Sequence, residues 1–148
     1  MVSISDNLVW ECVKNNNSFM KKVNGRSKRS GTMRFSVEKG NLRSLSSFKQ
    51  SGIANSKAVG ISCTDKNSAV LSLKTASKSD SQVAVEDIPI NKSFKKVVKT
   101  IESKIVSNYY RPDLKGDALA KFSAVYKANR IAKDVKKGVP VKKGRSGN

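Results

Sequence analysis

The sequence predicts an α+β fold: a short N-terminal helix, a small antiparallel sheet, two amphipathic C-terminal helices and a basic extended tail. Three observations carry this. Between Ser18 and Glu86 apolar residues recur in short period-two runs separated by turn residues. From Lys92 the period lengthens to that of a helix. Beyond Asn129 the apolar spacing fades while Lys and Arg persist. Leu, Ile, Val and Phe number 7, 8, 16 and 5, or 24% of 148 residues. That is above the ~20% below which a highly charged chain stays disordered, so a modest core is expected.

In chain order, Ser5 or Asp6 can cap a first helix, whose stripe is Leu8, Val9, Trp10, Cys12 and Val13, ending at Asn15-Asn16-Asn17. Trp10 belongs to this stripe and is expected in the core. Ser18 to Val23 and Thr32 to Val37 read as strands, joined through Asn24-Gly25 and the basic turn RSKRSG, Arg26 to Gly31. Ala58 to Ser62 and Ala69 to Lys74 form a further pair around Asp65-Lys66-Asn67, and Gln82 to Glu86 is one more strand with Val83 and Val85 on one face. Phe94, Val97, Val98, Ile101 and Ile105 then fall on one helical face, capped by Asn91 or Ser93 and ending near Asn108. Pro112 suits the first position of the last helix, with Asp113 at its positive end. Leu114, Ala118, Phe122 and Val125, with Leu119 and Tyr126, build its buried side. The expected division is a body at 1–129 and an arm at 130–148.

Several functions are excluded on composition. There is no His, and Cys12 and Cys63 stand far apart with no CxxC, so neither a zinc site nor an imidazole-dependent catalytic group is supported. Both thiols are expected buried and reduced. No phosphate-binding glycine motif occurs, and the adjacent acids Glu86 and Asp87 would point to opposite faces of a strand. The chain is therefore expected to be no enzyme, with no cofactor and no small-molecule substrate. The longest run free of charge is seven residues, no secretory signal is visible, and the tail lacks Trp, Phe or Leu, so no membrane partner is expected.

The charge balance points elsewhere. Thirty Lys and Arg against eleven Asp and Glu give a net charge of +19. From Lys14 to Lys49 ten bases meet one acid, and from Lys127 to Asn148 eight bases meet one acid, whereas Asp65 to Asp87 is nearly neutral. Clustering of this kind fits phosphate neutralisation, in which each contact releases counterions. Candidate phosphate contacts are Lys21, Lys22, Arg26, Lys28, Arg29, Arg34, Arg43 and Lys49, with Arg130, Lys136, Lys137, Lys142, Lys143 and Arg145 in the arm. Tyr110, Arg111 and Lys115 make a second candidate site at a helix start, one of Tyr109 and Tyr110 being expected to face RNA and the other the core.

The ordered blocks DNLVWECVKNNNSF (Asp6 to Phe19), FSVEKGNLRSLSSFKQSGI (Phe35 to Ile53), KAVGI (Lys57 to Ile61), NYYRPDL (Asn108 to Leu114) and ALAKFSAVYKANR (Ala118 to Arg130) resemble the eukaryote-type large-subunit ribosomal protein family number twenty-eight. The resemblance implies a structural component of the cytosolic 60S subunit. Its partners would be 25S/28S-type rRNA and neighbouring 60S ribosomal proteins, with assembly in the nucleolus. A nucleolar assembly factor shares the fold, but such factors carry additional Cys and a long acidic tail, neither present here. A chromatin-like DNA binder is the other alternative, opposed by the strand-rich front half.

Overall fold

A computed structural model describes residues 4–25, 29, 31–64, 68–75 and 84–133, and the architecture is α+β. Helix α1 spans Asp6–Val13. Strands β1 (Met20–Asn24) and β2 (Thr32–Ser36) form a two-stranded antiparallel ribbon in which Lys22 faces Arg34 and Val23 faces Met33. A single 3-10 turn at Phe48–Gln50 lies in the connection to β3 (Val59–Cys63), which pairs with β4 (Ala69–Thr75), itself paired with β5 (Ala84–Pro89). Helix α2 (Phe94–Glu102) runs into a π-helical turn at Ser103–Ser107. A 3-10 turn at Pro112–Leu114 leads into α3 (Lys115–Ala132).

The core is built by the two periodicities. Val59 and Ile61 on β3, with Ala69, Leu71 and Leu73 on β4, alternate onto one sheet face. Val97, Ile101 and Ile105 from α2 and its π turn, Leu114 from the 3-10 turn, and Ala118 and Phe122 from α3 cover that face and are at most 2% exposed. Burying a side chain of this kind contributes about 1.5–3 kcal/mol. Phe94 stacks on Phe122 at 5.3 Å and meets Tyr126 edge-on at 5.3 Å, closing one end of the layer.

Residues 38–58 wrap around a buried carboxylate. Glu38, 6% exposed, accepts from the Ser36 hydroxyl (3.1 Å), Asn41 Nδ2 (3.3 Å), the Ser51 hydroxyl (3.1 Å) and the Ile53 amide (3.2 Å). These donors offset the cost of taking the charge out of water. Gly40 holds φ +82°, and a Cβ on Gly52 would stand 2.1 Å from the Lys39 carbonyl, so each position requires glycine.

Four expectations are corrected. Helix α1 is capped by Ser5 but buries no residue: Leu8 is 58% exposed, and Trp10 is half-buried against Phe48 at 6.0 Å, outside the main core. Cys12 and Cys63 are free, as expected, but exposed, one on this peripheral helix and one at the end of β3. Strand β5 runs on past Glu86 to Pro89. Its pairing puts Val85 opposite Lys74, 52% exposed, while Ile88 opposite Leu71 packs on the core; Gln82 and Val83 fall outside the described residues. Finally, α3 continues to Ala132, because Arg130 and Ala132 are good helix formers and nothing before Gly138 interrupts them.

Candidate nucleic-acid interface

Every described acid is engaged inside the molecule. Glu11 pairs with Lys14, Glu86 with Lys104 (3.7 Å), Glu102 with Lys115 (3.1 Å), Asp113 with Arg111 (2.8 Å) and Asp117 with Arg43 (3.9 Å). Glu38 is buried in its knot of donors. Asp6 accepts from the Ser56 amide (3.0 Å) and Asp87 from the Ser72 hydroxyl (2.5 Å). Cations therefore remain in excess. Lys21, Lys22, Lys49, Lys57, Lys92, Lys95, Lys96, Lys99, Lys127, Arg130 and Lys133 have no carboxylate within 4.0 Å among the described residues, and all are exposed. Unpaired charge at this density gives a positive field that attracts polyanions.

Among the residues singled out from the sequence, Lys21 and Lys22 project from opposite faces of β1, and Arg29 is exposed between β1 and β2. Arg34 shares the Lys22 face, where its Nη1 donates to the Lys14 carbonyl (3.2 Å) and Asn15 Oδ1 (3.0 Å), tying the ribbon to the end of α1. Arg43 is 60% exposed beside Asp117, and Lys115 is 48% exposed beside Glu102, so both still face solvent. Lys49 is exposed on its 3-10 turn. Arg130, near the end of α3, lies with its guanidinium 5.8 Å from the Tyr126 ring. Arg26, Lys28, Lys136, Lys137, Lys142, Lys143 and Arg145 fall outside the described residues.

The corner before α3 differs from expectation. Tyr110 packs its ring against the core, while its hydroxyl accepts from the Ala58 amide (3.2 Å) and faces the carbonyls of Lys74 and Ala58. Burial pushes this phenol above its ordinary pKa, and the backbone contacts and the Arg111 charge oppose that rise. Arg111 is also turned inward. Its guanidinium donates to the carbonyls of Lys57 (2.8 Å) and Lys49 (2.9 Å) and bidentately to Asp113 (2.9 and 2.8 Å). The hydrogen bond with Asp113 raises the Arg111 pKa further and holds the Asp113 carboxyl below the usual carboxylate range. Both residues thus spend polar atoms on holding the fold.

Tyr109 is the outward member of the pair. It is 83% exposed and holds φ 49°, a left-handed conformation that costs a non-glycine residue about 1–2 kcal/mol. Arg111 gathers the backbones of Lys49 and Lys57 to this corner, and Lys57 Nζ lies 5.6 Å from the Tyr110 ring centroid. An exposed aromatic one residue away from this corner is suited to stacking a base. Sequence reasoning missed Lys57 and Lys92, since chain distance hides their proximity to the two ends of α3. Tyr109 was legible only as one of two equals. Among the described residues no group of three metal-ligating side chains occurs, and no helix is long and apolar enough to cross a membrane.

Residues 8–128 match the Ribosomal L28e protein family. The chain is 31% identical over 137 residues to the large ribosomal subunit protein eL28 of Schizosaccharomyces pombe, covering 90% of this chain and 99% of that protein. It is 30% identical over 134 residues to the protein of the same name from Dictyostelium discoideum, covering 88% and 92%. To that of Caenorhabditis elegans it is 41% identical over 63 residues, covering 43% and 46%.

Proposed function

The chain belongs to the ribosomal L28e protein family, and from that membership we propose that it is a structural constituent of the cytosolic 60S subunit, binding 25S/28S-type rRNA electrostatically and performing no catalysis. One observation carries the RNA-binding part: all described acids are committed internally, while unpaired Lys and Arg cover the ribbon, the α2 surface and both ends of α3. Phosphate contacts made by such cations supply affinity without base reading. In this reading Lys21, Lys22, Arg29, Lys49, Lys57, Lys92, Arg130 and Lys133 meet phosphates, Arg43 and Lys115 assist, and Tyr109 stacks. In the same reading Arg26 and Lys28, and the basic segment beyond about residue 130 with Lys136, Lys137, Lys142, Lys143 and Arg145, add further phosphate contacts. A neighbouring 60S ribosomal protein is supported by exposed apolar side chains on the ribbon, Val23 and Met33, 45% and 56% exposed, with Val37 just beyond β2 at 76%.

Sucrose-gradient sedimentation of the tagged protein, repeated after a high-salt wash, tests this. Stable migration with 60S particles is expected. Loss on washing would make it a visiting assembly factor, and recovery with chromatin would make it a DNA binder.

A further inference from the structure

A second basic site lies away from the Tyr109 corner. Helix α3 has 18 residues, so its two ends are ~27 Å apart at 1.5 Å per residue. Between the end of β5 and the C-terminal half of α3 opens a cavity of about 400 Å³, within the ~300–1,000 Å³ range of ligand pockets. Phe122, Tyr126, Asn129, Arg130 and Lys133 reach it because they stand at i, i+4, i+7, i+8 and i+11 on one helical face, and Lys92 reaches it from the opposite wall.

The chemistry of this lining is graded. The floor is aromatic: Phe122 is 1% exposed, with Tyr126 tilted against it at 5.9 Å. The rim is cationic, since Lys92, Arg130 and Lys133 are exposed and unpaired among the described residues, and no acid lines the cavity. In the wall Asn129 is 8% exposed. Its Oδ1 is occupied by the Cys63 thiol, which donates at 2.9 Å, whereas its Nδ2 has no partner among the described residues. Asn129 Nδ2 is not sealed off from the cavity, so it can donate to an acceptor that a ligand brings.

We infer that this cavity receives one unstacked nucleotide of RNA, its base lying on Tyr126, an acceptor on its edge meeting Asn129 Nδ2, and its flanking phosphates held by Lys92, Arg130 and Lys133. The inference rests on the RNA-binding reading and adds where, and in what conformation, a nucleotide is held. Paired RNA buries its base faces in the helix stack and cannot offer one to the floor. An acidic peptide would satisfy the rim but would leave the aromatic floor and the amide unused.

The test uses the full-length protein and two RNA hairpins, one with a single bulged 2-aminopurine and one fully paired, at several salt concentrations. The bulged hairpin should bind roughly five- to a hundredfold more tightly, the worth of one base–aromatic stack, with its fluorescence quenched on binding. Tyr126→Leu should bring that ratio to about one, Tyr126→Phe should retain it, and Asn129→Ala should lower it, with each variant's fold checked by thermal unfolding. Equal binding of the two hairpins by the wild type, without quenching, would overturn the inference while leaving RNA binding intact. Binding of neither would overturn the RNA-binding reading as well. Displacement of the bulged hairpin by oligoglutamate, with peptide binding kept in Tyr126→Leu and lost in Arg130→Glu, would assign the cavity to an acidic peptide.

Discussion

Replacing Arg111 by Met separates a fold-holding arginine from a phosphate-binding one. The side chain is 16% exposed and joins three segments: the carbonyls of Lys49 and Lys57, and Asp113. Hydrogen bonds from a charged donor contribute about 1.5–3 kcal/mol each, and water reaching the rim recovers part of that when the guanidinium is removed. The Asp113 pair adds under ~1 kcal/mol, because the Asp113 side chain is 43% exposed and screened. A loss of about 2–4 kcal/mol is expected, or a fall in Tm of ~8–16 °C for a domain of this size. Arg111→Lys should recover at most part of it, since one ammonium cannot reproduce the forked contact. Circular dichroism melts supply the first measurement. The second is RNA affinity against salt, whose log–log slope drops by ~0.7–0.9 for each phosphate that the protein no longer neutralises. If Arg111 works inward, Tm falls and the slope holds. An unchanged Tm with a slope shallower by one phosphate would refute the assignment.

Tyr109→Gly relieves the left-handed backbone and removes the exposed ring. Thermal unfolding should show a gain of about 0.5–1 kcal/mol, while affinity for single-stranded RNA falls roughly fivefold or more. For Asp113 the folded pKa lies below the unfolded value, so its contribution is present above the unfolded pKa near 4 and is lost as pH falls through the folded one. Acid titration of stability should accordingly decline below about pH 5 in the wild type and less steeply in Asp113→Asn. At Ile101, 0% exposed, truncation to Ala should cost about 2–4 kcal/mol by urea unfolding, and Ile101→Asp should leave the chain unfolded, because no partner for a charge lies in that layer.

Local pattern made the body of the fold legible. The Val97, Ile101 and Ile105 face and the Leu114, Ala118 and Phe122 face were readable because helical spacing is a property of adjacent turns, and β3 and β4 because alternation is a property of neighbouring residues. Errors fell where burial depends on distant partners. The stripe of α1 is apolar, yet none of its residues is buried among the described residues, so periodicity overstated its burial. Val85 belongs to a run that alternates in either register, and only pairing with β4 decided that Ile88 faces inward. No local pattern marks Glu38 for burial, and it takes four donors from residues 36–53 to close around it.

For the interface the division is similar. Sequence alone determined the surplus of cations, their clustering, the absence of imidazole chemistry and the two helical faces, since each depends on composition or short spacing. Tertiary structure decided which cations remain unpaired, that Tyr109 points out while Tyr110 and Arg111 turn in, and that Lys92 faces the Tyr126 side of α3 across a cavity. Those outcomes depend on distances between groups tens of residues apart, and a side chain's exposure is set by whatever the folded chain brings beside it.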